Sequence, residues 1–97
     1  MTMAGPVVDL DVSDLEPPEP LLRTLAALKQ LPEGHYLRMI HRMKPHLLYE
    51  HLPDLGFLAD TREGRDGRCE VYLWREGDAA AAQAASQASA GLPPWRE

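Results

Sequence analysis

The chain has 97 residues, a formal net charge of −5 at pH 7 and a single cysteine. This length allows one domain with a thin core. The acidic surplus argues against general binding to nucleic acid or anionic membranes, because phosphate groups attract clustered lysines and arginines. A lone Cys69 excludes an intramolecular disulfide. Without a signal-peptide pattern or an apolar run of about 20 residues, we expect a cytoplasmic protein without membrane contact.

The first half of the chain predicts a strand, a helix and a second strand. Residues 7–12 alternate apolar and acidic side chains, which is typical of a strand with one buried face. Residues 18–31 carry leucines at helical spacing, and the helix is expected to begin at Pro18. Residues 35–41 alternate again. This alternation predicts that Leu37 faces the core and that its neighbours face away.

The second half predicts a helix followed by a hairpin. Pro45 precedes a second series of leucines, and Pro53 inside that series is expected to kink or end the last turn. Residues 57–63 and 68–75 predict two strands, and residues 64–67, with the sequence GRDG, predict the hairpin turn between them.

The element order β-α-β-α-β-β predicts an α/β (α+β) two-layer sandwich. Two helices are expected on one face of a four-stranded mixed sheet. We expect residues 1–6 to be a leader and residues 7–76 to be the domain. Residues 77–97 are rich in alanine and end in a proline-containing segment, so they are expected to form a flexible tail with partial helix.

A resemblance to a known family emerges from the motifs LDVSDLEPPEPL and LPEGHYLRMIH, the proline-led second helix and the closing hairpin. Together they resemble the TusA-like (SirA-like) superfamily, from residue 8 to residue 76. That family has Cys-Pro-x-Pro before its first helix, and the cysteine carries a persulfide in sulfur relay. Here Pro18, Glu19 and Pro20 match Pro-x-Pro, but Pro17 stands at the cysteine position. The chain is similar to a branch of unknown function that lacks the cysteine.

The missing cysteine decides the chemistry that the resemblance implies. Because proline cannot carry sulfur, we do not expect persulfide sulfurtransferase activity. Cys69 alternates with Val71 and Leu73 in the last strand, so it is expected to be a buried small side chain and not a relocated nucleophile. No residue is therefore predicted to be catalytic.

Residues 14–20, DLEPPEP, form a stiff acidic segment that we call the collar. The simplest interpretation of the collar is a rigid helix start. Proline loses no intrahelical hydrogen bond in the first turn, and glutamate interacts favourably with the positive end of the helix dipole. The collar also lies at the sheet edge where His41 ends the second strand and His46 begins the second helix. The predicted ligand-binding residues at this edge are Glu16, Pro18, Glu19, Pro20, His41 and His46.

Several ligands remain open for this edge. His41 and His46 with a collar glutamate could hold zinc or iron, although their spacing matches no known metal signature and surface histidines would look the same. Two helix N-termini would favour an anion, whereas the collar acids oppose one. A neutral or cationic ligand is the remaining alternative.

The other face of the sheet carries Tyr36, Arg38, Tyr72 and Trp74, which are expected to point away from the helices. Tyrosine, tryptophan and arginine are common interface anchors, so this open face predicts contact with a partner protein or self-association. Aromatics with arginine could also stack RNA bases, but Glu70 and Asp60 on the same side weaken that interpretation. The simplest alternative is a solvent-facing surface.

The preferred interpretation is a non-catalytic binding or adaptor module that contacts a partner protein. The alternative is a small metal- or cofactor-binding protein in redox or nitrogen-oxide metabolism, since relatives of the resembling branch are sometimes fused to hemerythrin-type domains. RNA binding ranks third. The sequence contains no general acid–base pair, no nucleophile–base pair and no phosphate-binding loop, which favours the non-catalytic interpretation. No cofactor is expected under that interpretation, and zinc or iron belongs to the alternative.

Overall fold

The computed structural model describes residues 5–96, so residues 1–4 of the predicted leader and residue 97 of the predicted tail lie outside the described part. The elements are β1 (Val7–Asp11), α1 (Glu19–Lys29), β2 (Tyr36–His41), α2 (His46–Leu55), β3 (Phe57–Glu63), β4 (Cys69–Arg75) and α3 (Ala79–Ser89). The α+β class with a four-stranded mixed sheet is confirmed. The helix α3 is additional to the two that were predicted.

The strand order is β1-β2-β4-β3. Strand β1 pairs in parallel with β2, while β4 is antiparallel to both of its neighbours. Because β1 and β2 run in the same direction, their carboxyl ends lie at one edge of the sheet. The loops leaving those ends lead into α1 and α2. The first turns of both helices are therefore placed at the same edge.

The main core lies between the sheet and the helices α1 and α2. Strand alternation sends one set of side chains into this core, as the sequence predicts. Leu37, Met39, Val71 and Leu73 are all 0% exposed. They pack with Leu28 of α1 and with Leu48 and Leu52 of α2. The burial of these apolar side chains is the main stabilising contribution to the fold.

The ends of the two predicted helices differ from expectation. Helix α1 begins at Glu19, one residue later than predicted, and Pro18 is its N-cap. Helix α2 continues through Pro53 to Leu55, and Gly56 then ends it with a φ of 77°. A proline so near the end disturbs little, since only the last turn depends on its position.

The alanine-rich segment contains the helix that was predicted in part, but this helix is packed on the sheet, so the expectations of a flexible tail and of a bare sheet face were wrong. Helix α3 packs on the face opposite α1 and α2, where Ala85 is buried against Tyr36 and Tyr72. The Asp78 carboxylate accepts hydrogen bonds from the backbone N–H groups of Ala81 at 3.1 Å and Gly34 at 2.8 Å. It thus caps α3 and ties it to the loop before β2.

The residues after α3 continue along the outer edge of β3. The Glu63 N–H donates to the Pro93 carbonyl at 2.9 Å, and the Trp95 N–H donates to the Thr61 carbonyl at 3.2 Å. Arg62 also donates to the Leu92 carbonyl at 2.8 Å. This pairing covers the part of the β3 edge that would otherwise expose unpaired backbone groups. Within residues 5–96, no helix has the length and apolar character needed to cross a bilayer.

Candidate ligand pocket at the proline collar

A cavity of about 300 Å³ lies at the sheet edge where α1 and α2 begin. We call it the collar pocket. The side chains around it come from the collar, the end of β2, the loop after β2 and the first turn of α2. They are Pro17, Pro18, Pro20, Leu21, Met39, His41, Met43, Lys44, Pro45, His46, Leu47 and Leu48. Most of this lining is aliphatic, so the pocket favours an apolar ligand group.

The prolines of the collar make one rigid wall. The peptide between Pro17 and Pro18 is cis. The Glu19 N–H donates to the Glu16 carbonyl at 2.9 Å, so the backbone turns sharply as it enters α1. Pro20 is buried, and its carbonyl accepts a hydrogen bond from the Thr24 hydroxyl at 2.7 Å. The fixed φ of each proline keeps this wall stiff.

The loop and first turn of α2 make the opposite wall. Met43 is 55% exposed and Leu47 is 63% exposed, although both are large apolar residues. Leu48 in the same turn is 1% exposed and belongs to the core. The series of leucines predicts the helix, and within it Leu48 is buried whereas Leu47 faces solvent. Exposed apolar side chains beside an apolar cavity are typical of a binding site.

His41, the last residue of β2, lines the collar pocket. It is 8% exposed, and its Nδ1 atom is buried without a hydrogen-bond partner. Burial lowers the pKa of His41 below its ordinary value, and the positive charge of Arg42 lowers it further. The imidazole is therefore neutral at pH 7. Lys44 and His46 also line the pocket, and Cys69 is the cross-strand neighbour of His41.

The lowered pKa of His41 predicts a loss of stability in mild acid. As pH falls below the ordinary value of 6.5, the unfolded chain takes up a proton on His41 before the folded chain does. The free energy of unfolding therefore falls from that pH down to the folded-state pKa. Urea unfolding from about pH 7 to about pH 5 should show a shallower decline for His41→Gln than for the unchanged protein.

The exposed His51 in α2 provides the matched control for this measurement. His51→Gln is expected to keep the slope of the unchanged protein. Equal slopes for His41→Gln and the unchanged protein would contradict the assignment of this pH dependence to the buried imidazole.

The collar carboxylates do not line the pocket. Glu16 pairs with Arg42 at 3.2 Å, and Glu19 pairs with Arg23 one helical turn later at 3.3 Å. The structure thus brings four of the six predicted ligand-binding residues to the cavity, namely Pro18, Pro20, His41 and His46, and leaves Glu16 and Glu19 outside it.

Sequence reasoning missed the apolar lining of the pocket. Alternation along residues 35–41 indicates that Met39 and His41 share a strand face, but Met43 and Lys44 lie in a loop whose course no local pattern indicates. The sequence identifies Pro17 as part of the collar and as the residue at the family's cysteine position, but not as part of a cavity wall. The cavity depends on how these segments meet.

Metal and thiol chemistry find little support in the described residues. Among residues 5–96, no group of three or more histidine, cysteine, aspartate or glutamate side chains is arranged to hold a metal ion. The collar glutamates that the metal hypothesis adds to His41 and His46 do not line the pocket. Cys69 is fully buried, and burial raises its pKa to about 11. A thiol in this state is protonated and inert at neutral pH.

The predicted interface residues are largely covered by the chain itself. Tyr36 is 7% exposed and Tyr72 is 2% exposed beneath α3, and Trp74 packs against the same cluster. Arg38 donates two hydrogen bonds to the buried Glu70, both at 3.1 Å. This corrects the expectation of an open face, because the small side chains of α3 allow a helix to approach the tyrosines closely.

One comparison with known proteins gives a match. The family model DUF2249, described as an uncharacterized conserved protein, matches residues 9–75. Neither the curated proteins nor the solved structures provide a match. The matched range contains every residue that lines the collar pocket and ends before α3 begins.

Proposed function

Because the chain belongs to the DUF2249 family of uncharacterized conserved proteins, we propose its function from the geometry of the collar pocket. The protein is a non-catalytic binding module that takes one apolar side chain of a partner protein into this pocket. We also propose that the collar corresponds to the Cys-Pro-x-Pro segment of TusA-like proteins, with Pro17 at the cysteine position. The edge that serves sulfur chemistry in that superfamily would then serve recognition here.

The observation that carries the proposal is the exposed apolar wall of the pocket. Met43 and Leu47 are more than half exposed while they border a cavity lined mainly by proline, leucine and methionine. Covering such side chains contributes about 25 cal/mol for each Å² of apolar surface removed from water. A partner side chain gains this contribution without requiring a large movement of the core.

The size of the cavity favours a single side chain over a cofactor. At about 300 Å³, it stands at the lower limit for ligand pockets. Methionine is well suited to a surface that must accommodate a partner, since its side chain is flexible and polarizable. Proline on the opposite wall supplies a rigid surface against which the incoming group can pack.

The alternative function is metal or cofactor binding in redox or nitrogen-oxide metabolism. Its supporting observation is that His41 and His46 both line the same cavity. Two histidines, with no carboxylate among the described residues of the lining, make a weak site for zinc or iron. We therefore rank this alternative second. If it were correct, titration of the protein with zinc would shift the His41 and His46 ring signals together and saturate at a one-to-one ratio.

We expect N-acetyl-leucinamide, a single apolar residue with capped ends, to bind the collar pocket at millimolar concentration. Amide NMR shifts should be confined to residues around the cavity. Leu47→Ser is expected to weaken binding about fivefold, because part of the apolar contact is lost. The dissociation constants would be measured by NMR titration of both proteins.

Leu58→Ser is the matched control, since Leu58 is 42% exposed on β3 and does not line the pocket. It should bind the amide like the unchanged protein. Shifts spread over the whole surface, or an equal effect of both substitutions, would contradict the proposed function.

A further inference from the structure

We propose that the outer edge of β3 is a binding site for an extended segment of a partner protein, which adds to the sheet as an antiparallel strand. The chain's own residues 92–95, which we call the strap, occupy part of this edge and are displaced when the partner binds. The site is separate from the collar pocket, because among residues 5–96 the lining of that pocket includes no residue of β3 or of the strap.

The strap shows how a polypeptide binds at this edge. It runs antiparallel to β3. The Glu63 N–H donates to the Pro93 carbonyl at 2.9 Å, and the Trp95 N–H donates to the Thr61 carbonyl at 3.2 Å. The Trp95 side chain also packs against the main core. Main-chain pairing combined with one side-chain anchor is the mode in which sheet edges recognise extended peptides.

Pro93 makes the strap an incomplete partner for β3. The two backbone hydrogen bonds flank an antiparallel bridge between Arg62 and Pro94. In this pattern the facing residues next to the bridge, here Glu63 and Pro93, exchange a hydrogen bond in each direction. Proline has no N–H, so the Glu63 carbonyl receives no hydrogen bond from Pro93. Pro94 loses nothing, because an N–H at the bridge position points away from β3.

The strap also covers only one end of the β3 edge. Strand alternation places the N–H and carbonyl of Ala59 on the same side of β3 as those of Thr61. Within the described residues, no hydrogen bond reaches the Ala59 backbone from outside the sheet. The neighbouring Leu58 is large and apolar, yet it is 42% exposed. An unpaired edge beside an exposed apolar side chain favours the addition of a further strand.

These features define the chemistry of the partner segment. It is extended, provides an N–H opposite Glu63 and carries an aromatic side chain opposite Thr61, where Trp95 lies in this structure. It continues past Ala59 with free N–H groups and places an apolar side chain beside Leu58. Such a segment makes more main-chain hydrogen bonds to β3 than the strap does, and it therefore displaces the strap.

The test uses two peptides that differ in one N–H group. Acetyl-Gly-Leu-Val-Pro-Trp-Arg-Thr-Val-amide follows residues 91–96 with valine in place of Pro93 and then extends toward Ala59 and Leu58. The second peptide has N-methylvaline in place of valine. The valine peptide is expected to bind the full chain about fivefold more tightly, the ratio that one backbone hydrogen bond supplies. NMR titration would give both dissociation constants, with amide shifts in β3 and the strap.

Pro93→Val in the full chain gives the strap itself the missing N–H. The valine peptide must then compete with a tighter strap, so it is expected to bind Pro93→Val about fivefold more weakly than Pro94→Val. Pro94→Val is the matched control. Both substitutions remove the backbone restriction of one proline, but only the first adds an N–H that is directed at β3.

Each remaining outcome would overturn the proposal. Equal dissociation constants for the two peptides would show that pairing with the Glu63 carbonyl does not contribute, and equal binding to Pro93→Val and Pro94→Val would show that the strap does not compete. Shifts confined to the collar pocket would place the peptide there and not at β3. Absence of binding by both peptides would exclude strand addition at this edge, while the proposed function of the collar pocket would still be decided by N-acetyl-leucinamide.

Discussion

Replacing Arg38 with methionine is expected to lower the free energy of unfolding by about 3 kcal/mol, because it leaves a buried carboxylate without its cation. Glu70 is 6% exposed in the middle of the sheet. Its two oxygens accept hydrogen bonds from Arg38, and one also accepts a hydrogen bond from the Tyr72 hydroxyl at 2.8 Å. The hydrogen bonds to Glu70 also raise the pKa of Arg38 above its ordinary range.

A second substitution separates the ion pair from simple packing. In the Arg38→Met, Glu70→Gln double variant, no charge is left buried, so the double variant is expected to be more stable than Arg38→Met alone. Because Tyr72 donates to Glu70, the glutamine oxygen can still accept that hydrogen bond. The free energies of unfolding would be obtained from urea unfolding of the two single variants and the double variant.

Arg23→Met provides the matched control for Arg38→Met. Arg23 also pairs with a glutamate, but both side chains of that pair are about half exposed, at 59% and 49%. Exposed pairs contribute about 0–1 kcal/mol, so this change should have little effect. An equal loss of stability in both variants would show that the buried Arg38–Glu70 pair contributes no more to stability than the exposed Arg23–Glu19 pair.

Ala85→Glu is expected to release α3 from the sheet without unfolding the rest of the domain. Ala85 is 0% exposed and packs against Tyr36 and Tyr72. A glutamate there would be buried without a cation, at a cost of several kcal/mol, unless the helix leaves the surface. Hydrogen exchange should show about a hundredfold loss of protection in the α3 amides, while protection in β2 and β4 is largely kept.

The same substitution at an exposed position of the same helix is the control. Ala80 is exposed near the start of α3, where a glutamate is compatible with the helix dipole. Ala80→Glu should therefore leave the protection of α3 unchanged. If Ala85→Glu kept full protection, or if the sheet amides lost protection to the same degree, α3 would not be a separable cover of this face.

Ala85→Glu also tests the expected role of Tyr36 and Tyr72 in contacts between molecules. Once α3 has left, these aromatics would be exposed on a sheet face beside Arg38. Such a surface favours association. A concentration-dependent mass by light scattering for Ala85→Glu, and not for Ala80→Glu, would show that the covered face can act as an interface.

The collar and the strand faces could be predicted from the sequence because both depend on local rules. Strand side chains alternate with a period of two, so the apolar positions around Met39 and Val71 alone determine which face is buried. The β-α-β order likewise places His41 and His46 at one edge, since parallel strands end on the same side. These features need no knowledge of distant contacts.

The packing of α3 over the sheet face depends on tertiary structure. An alanine-rich segment lacks a strong apolar stripe, and an isolated helix of that length is marginal in water. Its stability depends on small side chains that fit closely over two tyrosines. It also depends on the hydrogen bond that the Gly34 N–H donates to the Asp78 carboxylate, between residues 44 positions apart. Neither condition is visible in the segment itself.

The character of the collar pocket also came from the way distant segments meet. The sequence determined that prolines and histidines share an edge, but it could not show that Glu16 and Glu19 are each paired with an arginine or that Leu47 is exposed. Pairing and exposure depend on the angle at which α1 and α2 lie on the sheet. The composition of the edge was therefore predictable, whereas its shape and the pairing of its collar glutamates required the packed structure.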